Sequence, residues 1–367
     1  MQLPRLLTFA ALAALAPLRA ADPAPAPAPA TDFSALKTAD EFWQHLTKLE
    51  QPPTNKAATR EAALEQARDW MASIQTAAEA FLKAYPEDAR RWEAKLVVLR
   101  TSTQLQRFAG QKPPPAAERP LLDEVINSAD APAKTKTEAA FMRALTYMGE
   151  VDKTKPETFV AFHQAAADFL AKYADSPLAE QMRATQLRIL ANDPTPQGAE
   201  LMDKLAASPD TKTAEAAKKL VAKRDQIAEL KTKPLDLKFT SIHSKDVDLA
   251  LLRGKVVLVD FWASWCGPCM AEMPNVVGIY QQLHPKGLEI IGISLDEDKE
   301  KMQDAIKKNG MEWAQYFDGG GWKNKISAGF GIDSIPAAWL IDKKGKLRET
   351  DLRGQALGEA IVKLLGE

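Results

Sequence analysis

The chain is expected to be multidomain, with an all-α N-terminal part made of helical hairpins and a C-terminal α/β domain. Three observations predict this. Its 367 residues exceed what a single hydrophobic core usually organises. From about residue 32 to residue 231, apolar residues recur at helical spacing among Ala, Leu, Glu, Lys and Gln. After Lys233-Pro234 the period changes, and short apolar runs alternate with helical segments.

The N-terminus comes first. Arg5 precedes an apolar stretch, Leu6 to Leu18, and then the small residues Ala20-Ala21. That order is the signature of a cleavable secretory signal, which predicts an exported, periplasmic protein. The apolar run is short for a bilayer span, which argues against a retained anchor. Asp22 to Ala30 alternates Pro and Ala, favouring an extended spacer. The expected divisions are a signal peptide at 1–21, a Pro/Ala linker at 22–31, a helical repeat-like domain at 32–233 and the α/β domain at 234–367.

Within the helical part, Ala62, Ala63, Ala67, Trp70, Met71 and Ile74 mark one buried face. Turn signals fall at Tyr85-Pro86, Gly110 to Pro115, Ser128 to Pro132, Tyr173 to Pro177 and Ser208-Pro209. Phe81-Leu82-Lys83-Ala84-Tyr85 is echoed by Phe169-Leu170-Ala171-Lys172-Tyr173, and Leu121-Leu122-Asp123 by Leu201-Met202-Asp203. Pro-containing turns recurring roughly every 35–45 residues predict stacked hairpins of the tetratricopeptide kind, without that repeat's full signature. A plain irregular helical domain is the alternative. Trp43, Trp70 and Trp92 are expected in the core, and His45 and His163 as structural residues.

A net charge of −1 excludes a general nucleic-acid binder, because no basic excess is available for phosphates. The cysteine count narrows the chemistry. Cys266 and Cys269 are the only cysteines, two residues apart. A zinc site would need two further ligands, and His45, His163, His243 and His284 are scattered. Asp318-Gly319-Gly320-Gly321-Trp322 lacks the Lys-Ser/Thr of a phosphate loop and is expected to be a plain loop.

In the C-terminal part, strands are expected at Leu235 to Ile242, Val247 to Leu252, Lys255 to Ala263, Leu288 to Leu295, Trp339 to Ile341 and Lys346 to Leu352. Helices are expected at Met270 to Leu283, Glu300 to Lys308 and Leu357 to Leu365. The cysteine pair thus sits between a buried strand and a helix, the setting of a disulfide-exchange site. Cys266 is expected exposed at the helix N-terminus, where free N–H groups and the helix dipole favour a thiolate. Pro268 suits a first turn that needs no N–H. Cys269, one turn on, is expected to be shielded and to resolve the mixed disulfide. Asp260 interrupts an apolar strand, where burial would raise its pKa and make it a proton acceptor near neutrality.

Val259-Asp260-Phe261-Trp262-Ala263-Ser264-Trp265-Cys266-Gly267-Pro268-Cys269 resembles the active-site segment of thioredoxin. Leu252-Arg253-Gly254-Lys255, Glu272-Met273-Pro274 and Ser334-Ile335-Pro336-Ala337 resemble the exported TlpA/ResA-like thiol–disulfide oxidoreductases. The resemblance covers about residues 234–367 and implies a thioredoxin-like fold. It implies that Glu272 is a second candidate acid and that Ile335-Pro336 is a cis-proline dipeptide facing the cysteines. Trp265, Gly267, Pro268 and Ile335 would then contact substrate, and no cofactor or metal is needed. The implied activity is reduction of protein disulfides through Cys266 and Cys269, with a membrane electron donor and protein thiol/disulfide substrates. The helical part is expected to take a protein partner. The competing function is a cell-envelope interaction or scaffold protein with an appended thioredoxin domain.

Overall fold

The computed structural model describes residues 33–54, 58–111 and 113–367; the expected signal peptide and the Pro/Ala linker lie outside them. Compact units run up to Lys218 and from Lys219 to Glu367.

The first unit is helical. It contains α1 (Ala39–Leu49), α2 (Arg60–Ala84), α3 (Arg91–Phe108), α4 (Arg119–Asn127), α5 (Ala133–Met148), α6 (Pro156–Lys172), α7 (Pro177–Leu190), α8 (Pro196–Ala206) and the start of α9 (Thr211–Thr232). The caps are readable. Thr38 and Glu41 close a capping box on α1, and Ser176 and Thr195 cap α7 and α8 ahead of a proline in the first turn. Its apolar residues gather in successive local clusters. Phe42 packs with Phe81, Trp92 and Leu96 with Leu122, and Phe141 with Phe162 and Phe169. Each cluster joins helices close to one another along the chain. Trp92 is buried, whereas Trp43 and Trp70 are half-buried against these clusters. His163 is buried, and its Nε2 lies 3.0 Å from Asp193 Oδ2. Burial lowers its pKa and Asp193 raises it in part, which suits a structural pair.

The second unit holds a five-stranded sheet in the order β5-β4-β3-β6-β7. Its strands are β3 (Val256–Trp262), β4 (Leu288–Ser294), β5 (Ala314–Tyr316), β6 (Ala337–Ile341) and β7 (Leu347–Thr350), with a separate hairpin of β1 (Lys238–Thr240) and β2 (Asp246–Asp248). β3 runs parallel to β4 and antiparallel to β6. Every residue of β3 is buried, so both faces are covered, which explains its unbroken run Val256-Val257-Leu258-Val259. The helices are α10 (Gly267–Leu283), α11 (Lys299–Asn309), α12 (Lys325–Gly329) and α13 (Gly354–Gly366). Ile227 and Leu230 at the end of α9 pack on this core, so that part of α9 belongs with the sheet rather than with the helices before it.

Three elements differ from expectation. The strand expected through Leu252 stops at Asp248, whose carboxyl accepts the Ala250 N–H at 2.8 Å and turns Leu249–Leu252 into a 3₁₀ turn. β5 has no apolar alternation, because its middle residue is the buried Gln315. Gln315 Oε1 accepts the Trp262 indole N–H at 3.0 Å. That amide passes so close to Gly292 that a Cβ there would stand 2.0 Å from Oε1, so β4 must carry a glycine at this point. The short α12 is set by Asn324, whose Oδ1 accepts the N–H groups of Ile326 and Ser327.

Candidate active site

β3 delivers the chain to a turn, Ala263-Ser264-Trp265, and then into α10. Asp296, 1% exposed just past β4, fixes that turn. Its carboxyl oxygens accept from Ser264 N at 3.0 and 3.1 Å, from Ser264 Oγ at 2.5 Å and from Ser294 Oγ at 2.8 Å. Asp296→Ala would leave these buried donors without an acceptor and is expected to cost about 3 kcal/mol, read as a lower unfolding midpoint. An unchanged midpoint would show that the turn holds itself.

Cys266 is the N-cap of α10, and its Sγ accepts the Cys269 N–H at 3.2 Å. This N–H of the first turn therefore points at the sulfur, which with the helix dipole favours negative charge there when the site is reduced. Cys266 and Cys269 form a disulfide with Cα atoms 5.2 Å apart. The expected exposure of Cys266 is not found, since it is 5% exposed and Cys269 is 3% exposed. In the disulfide the Cys266 sulfur turns back onto the helix end to meet Cys269. What stands in solvent is the surround: Gly267, Pro268 and the ring of Trp265, which is 54% exposed.

A second exposed tryptophan stands beside it. The Trp322 ring centroid lies 6.0 Å from that of Trp265, at an interplanar angle of 54°. Asp318 accepts the N–H groups of Gly320 and Lys325 at 2.9 Å, so the Gly319-Gly320-Gly321 loop is folded on its own carboxyl and is not an open phosphate cradle. Gly321 has φ +54°, and a Cβ there would meet Glu297 Oε1 at 2.7 Å. Buried Asn324 ties the loop to Ser294 O at 3.0 Å. Sequence reasoning missed Trp322, although its glycine run signalled an unusually tight loop. Beside Trp265 opens a groove with Met270 and Ala305 along its wall and Lys301, Asp304 and Lys308 at its rim.

Asp260 lies on β3, 7% exposed, and among the described residues its carboxyl receives no hydrogen bond. Burial pushes its pKa up to about 7; the nearby Glu272 charge adds to this and Arg353 opposes it. Glu272 sits on α10, half-buried, with Oε1 accepting from Asn275 Nδ2 and from the Gly354 N–H, both at 2.7 Å. It binds α10 to the start of α13, a structural engagement the sequence did not disclose.

Ile335-Pro336 is a cis peptide, just ahead of β6. The Ile335 side chain packs against the core, while among the described residues neither its N–H nor its C=O takes part in a backbone hydrogen bond. A bend with free backbone donor and acceptor, just ahead of β6, is a candidate ledge for another strand. The Pro336 carbonyl accepts from Arg353 Nη2 at 2.7 Å. Arg353 is a further residue missed from the sequence, where it stood as an ordinary arginine before a glycine.

A family model described as thioredoxin-like matches residues 254–347. Thiol-disulfide oxidoreductase ResA of Bacillus thuringiensis (strain Al Hakam) is 34% identical over 120 residues, 33% of this chain and 65% of that protein. ResA of Bacillus thuringiensis subsp. konkukian is 31% identical over 126 residues, 34% of this chain and 70% of its own length. This chain belongs to the ResA-like thiol–disulfide oxidoreductase family. Thiol:disulfide interchange protein HelX of Rhodobacter capsulatus is also similar, 31% identical over 116 residues that make up 32% of this chain and 62% of HelX. The chain thus spans 65% of the length of the first ResA, and the likeness takes in only about a third of this chain. The resemblance to ResA noted in the sequence is borne out, and with it the α/β fold of the second unit.

Proposed function

We propose that this protein is an exported thiol–disulfide oxidoreductase that reduces disulfides in other proteins. The observation that carries the reading is the redox pair at the start of α10, with Cys266 Sγ held on the Cys269 N–H. Export rests on the order Arg5, Leu6 to Leu18 and Ala20-Ala21.

The Cys266 thiolate attacks one sulfur of a substrate disulfide, forming a mixed disulfide and releasing the first substrate thiolate. Cys269 then gives its proton to Asp260 and attacks the Cys266 sulfur. The Cys266–Cys269 disulfide forms, the second substrate thiolate leaves, and the substrate has gained two electrons. Asp260 is preferred over Glu272 as the acceptor because its carboxyl is buried and free of hydrogen bonds, whereas one Glu272 oxygen already holds two. The substrate backbone would pair with Ile335, its flanks resting on Trp265, Gly267 and Pro268.

The Gly-Pro dipeptide between the cysteines favours a reductant recharged by a dithiol donor at the membrane. A potential for the Cys266–Cys269 couple near −270 mV agrees with that direction, and one near −120 mV overturns it. The helical unit, with its succession of local clusters, is read as tetratricopeptide-like stacked hairpins that hold a protein partner. Cys269→Ser separates this from a pure scaffold, because it should trap substrates as mixed disulfides on Cys266. An empty trap, with partners still captured by the Cys266→Ser chain, favours the scaffold.

A further inference from the structure

Arg353 stands where three parts of the site meet. It is the N-cap of α13, and its Nη2 donates to the Pro336 carbonyl at 2.7 Å. The next residue, Gly354, donates its N–H to Glu272 Oε1 at 2.7 Å. One short segment is thereby bonded both to the cis-proline ledge and to the active-site helix. Asp260 lies on the strand beside them. Its cross-strand neighbours are Gly292 on β4 and Ala338 on β6, which carry no charge. The charged groups that act on it are Glu272 from α10 and Arg353 from the start of α13. When the site is reduced, Cys269 joins Glu272 and Tyr280 as a titratable group on α10.

We infer that Arg353 is a positioning residue, holding the Pro336 ledge in place and supplying the positive charge that lets Asp260 accept the Cys269 proton. The inference rests on the oxidoreductase reading above. An arginine suits both tasks, since one N–H of its planar fork can bond a carbonyl while the charge stays delocalised and permanent. Burial and Glu272 both hold the proton on Asp260, and Arg353 opposes them. Remove that cation and the carboxylate form becomes scarcer at any pH below its midpoint. The resolving step then loses its acceptor, because Cys269 must shed its proton before its sulfur can displace the substrate thiolate from Cys266. Arg353 is exposed, so solvent screens its charge and the effect is modest.

The test uses the full-length chain. The Asp260 carboxyl is titrated directly by ¹³C NMR, with Asp260→Asn assigning the signal. Turnover of insulin disulfides is followed in parallel from pH 5 to 9, with dithiothreitol as the electron source. In Arg353→Gln, both the Asp260 midpoint and the acid limb of turnover should move up by about half a pH unit. At pH 6 that is roughly a threefold loss relative to wild type. Arg353→Lys should restore both, and in the Asp260→Asn background Arg353→Gln should leave the limb where it was. A midpoint that stays put in Arg353→Gln overturns the inference, even if the melting temperature falls, as does an equal movement in Arg353→Lys. A wild-type chain that reduces no disulfide at any pH is a different failure. It sinks the oxidoreductase reading, and with it the catalytic part of the inference, while the Asp260 midpoint still decides the charge partnership.

Discussion

Cys266→Ser is expected to abolish disulfide reduction, with turnover falling at least about a thousandfold. The variant keeps the helix, the Asp260 carboxyl and the Ile335-Pro336 ledge, so the loss would isolate the nucleophile. A serine hydroxyl accepts the same N-cap hydrogen bond that Cys266 Sγ takes from the Cys269 N–H, so folding should hardly change. What it lacks is an ionisable sulfur, because a helix N-terminus can favour a thiolate near neutrality but not an alkoxide. Cys269→Ser should behave differently, releasing one thiolate per chain and then stopping at the mixed disulfide. Counting released thiol with a chromogenic disulfide substrate distinguishes the two. Equal bursts from both variants, or turnover surviving in Cys266→Ser, would mean that the assignment of attacking and resolving sulfur is wrong.

The parts of this site differ in how far they could be read from the sequence, for physical reasons. Cys266, Cys269 and Pro268 were legible because local chemistry fixes them: the spacing, the preceding apolar strand and the proline all belong to one helix start. Asp260 was legible because a carboxylate inside Val259-Asp260-Phe261 is costly without a purpose. The burial of Cys266 was not, since it depends on the disulfide drawing its sulfur onto the helix. Arg353 and Trp322 were missed for another reason. Each acts across a long loop closure, Arg353 on Pro336 and Trp322 beside Trp265, and no periodicity encodes such a meeting. β5 was missed because its burial is polar, through Gln315 and Trp262, so an apolar pattern was absent. The helical unit was legible as helices from its caps and spacing, but its hairpin repeat rests on echoes between short segments, which packing alone does not specify.

The second large effect concerns stability and runs against intuition: Asp260→Asn should make the C-terminal unit more stable at pH 8. The carboxyl titrates at 3.8 in its unperturbed state and at about 7 when folded, with burial as the main cause and Glu272 adding to it. A folded pKa above the unfolded one means that the native state binds the proton more tightly. Below about pH 3 both states are protonated and this group costs nothing. As pH rises towards 7 the unfolded chain sheds its proton while the native one keeps it, so stability drains away across that window. Above it the penalty reaches a ceiling on the order of 4 kcal/mol. Asparagine has nearly the same shape and no charge to bury. It should match wild type near pH 3 and exceed it at pH 8, with slower hydrogen exchange at the β3 amides, whose opening requires the sheet to unfold. The comparison is made between the two proteins at the same pH. A gap that is the same at both pH values would mean that Asp260 is not held protonated by the fold. The same substitution should slow the resolving step, since the amide cannot take the Cys269 proton. In the proposed mechanism stability and chemistry therefore pull in opposite directions at one residue: the burial that would make Asp260 a useful base near pH 7 is also what makes it costly to keep.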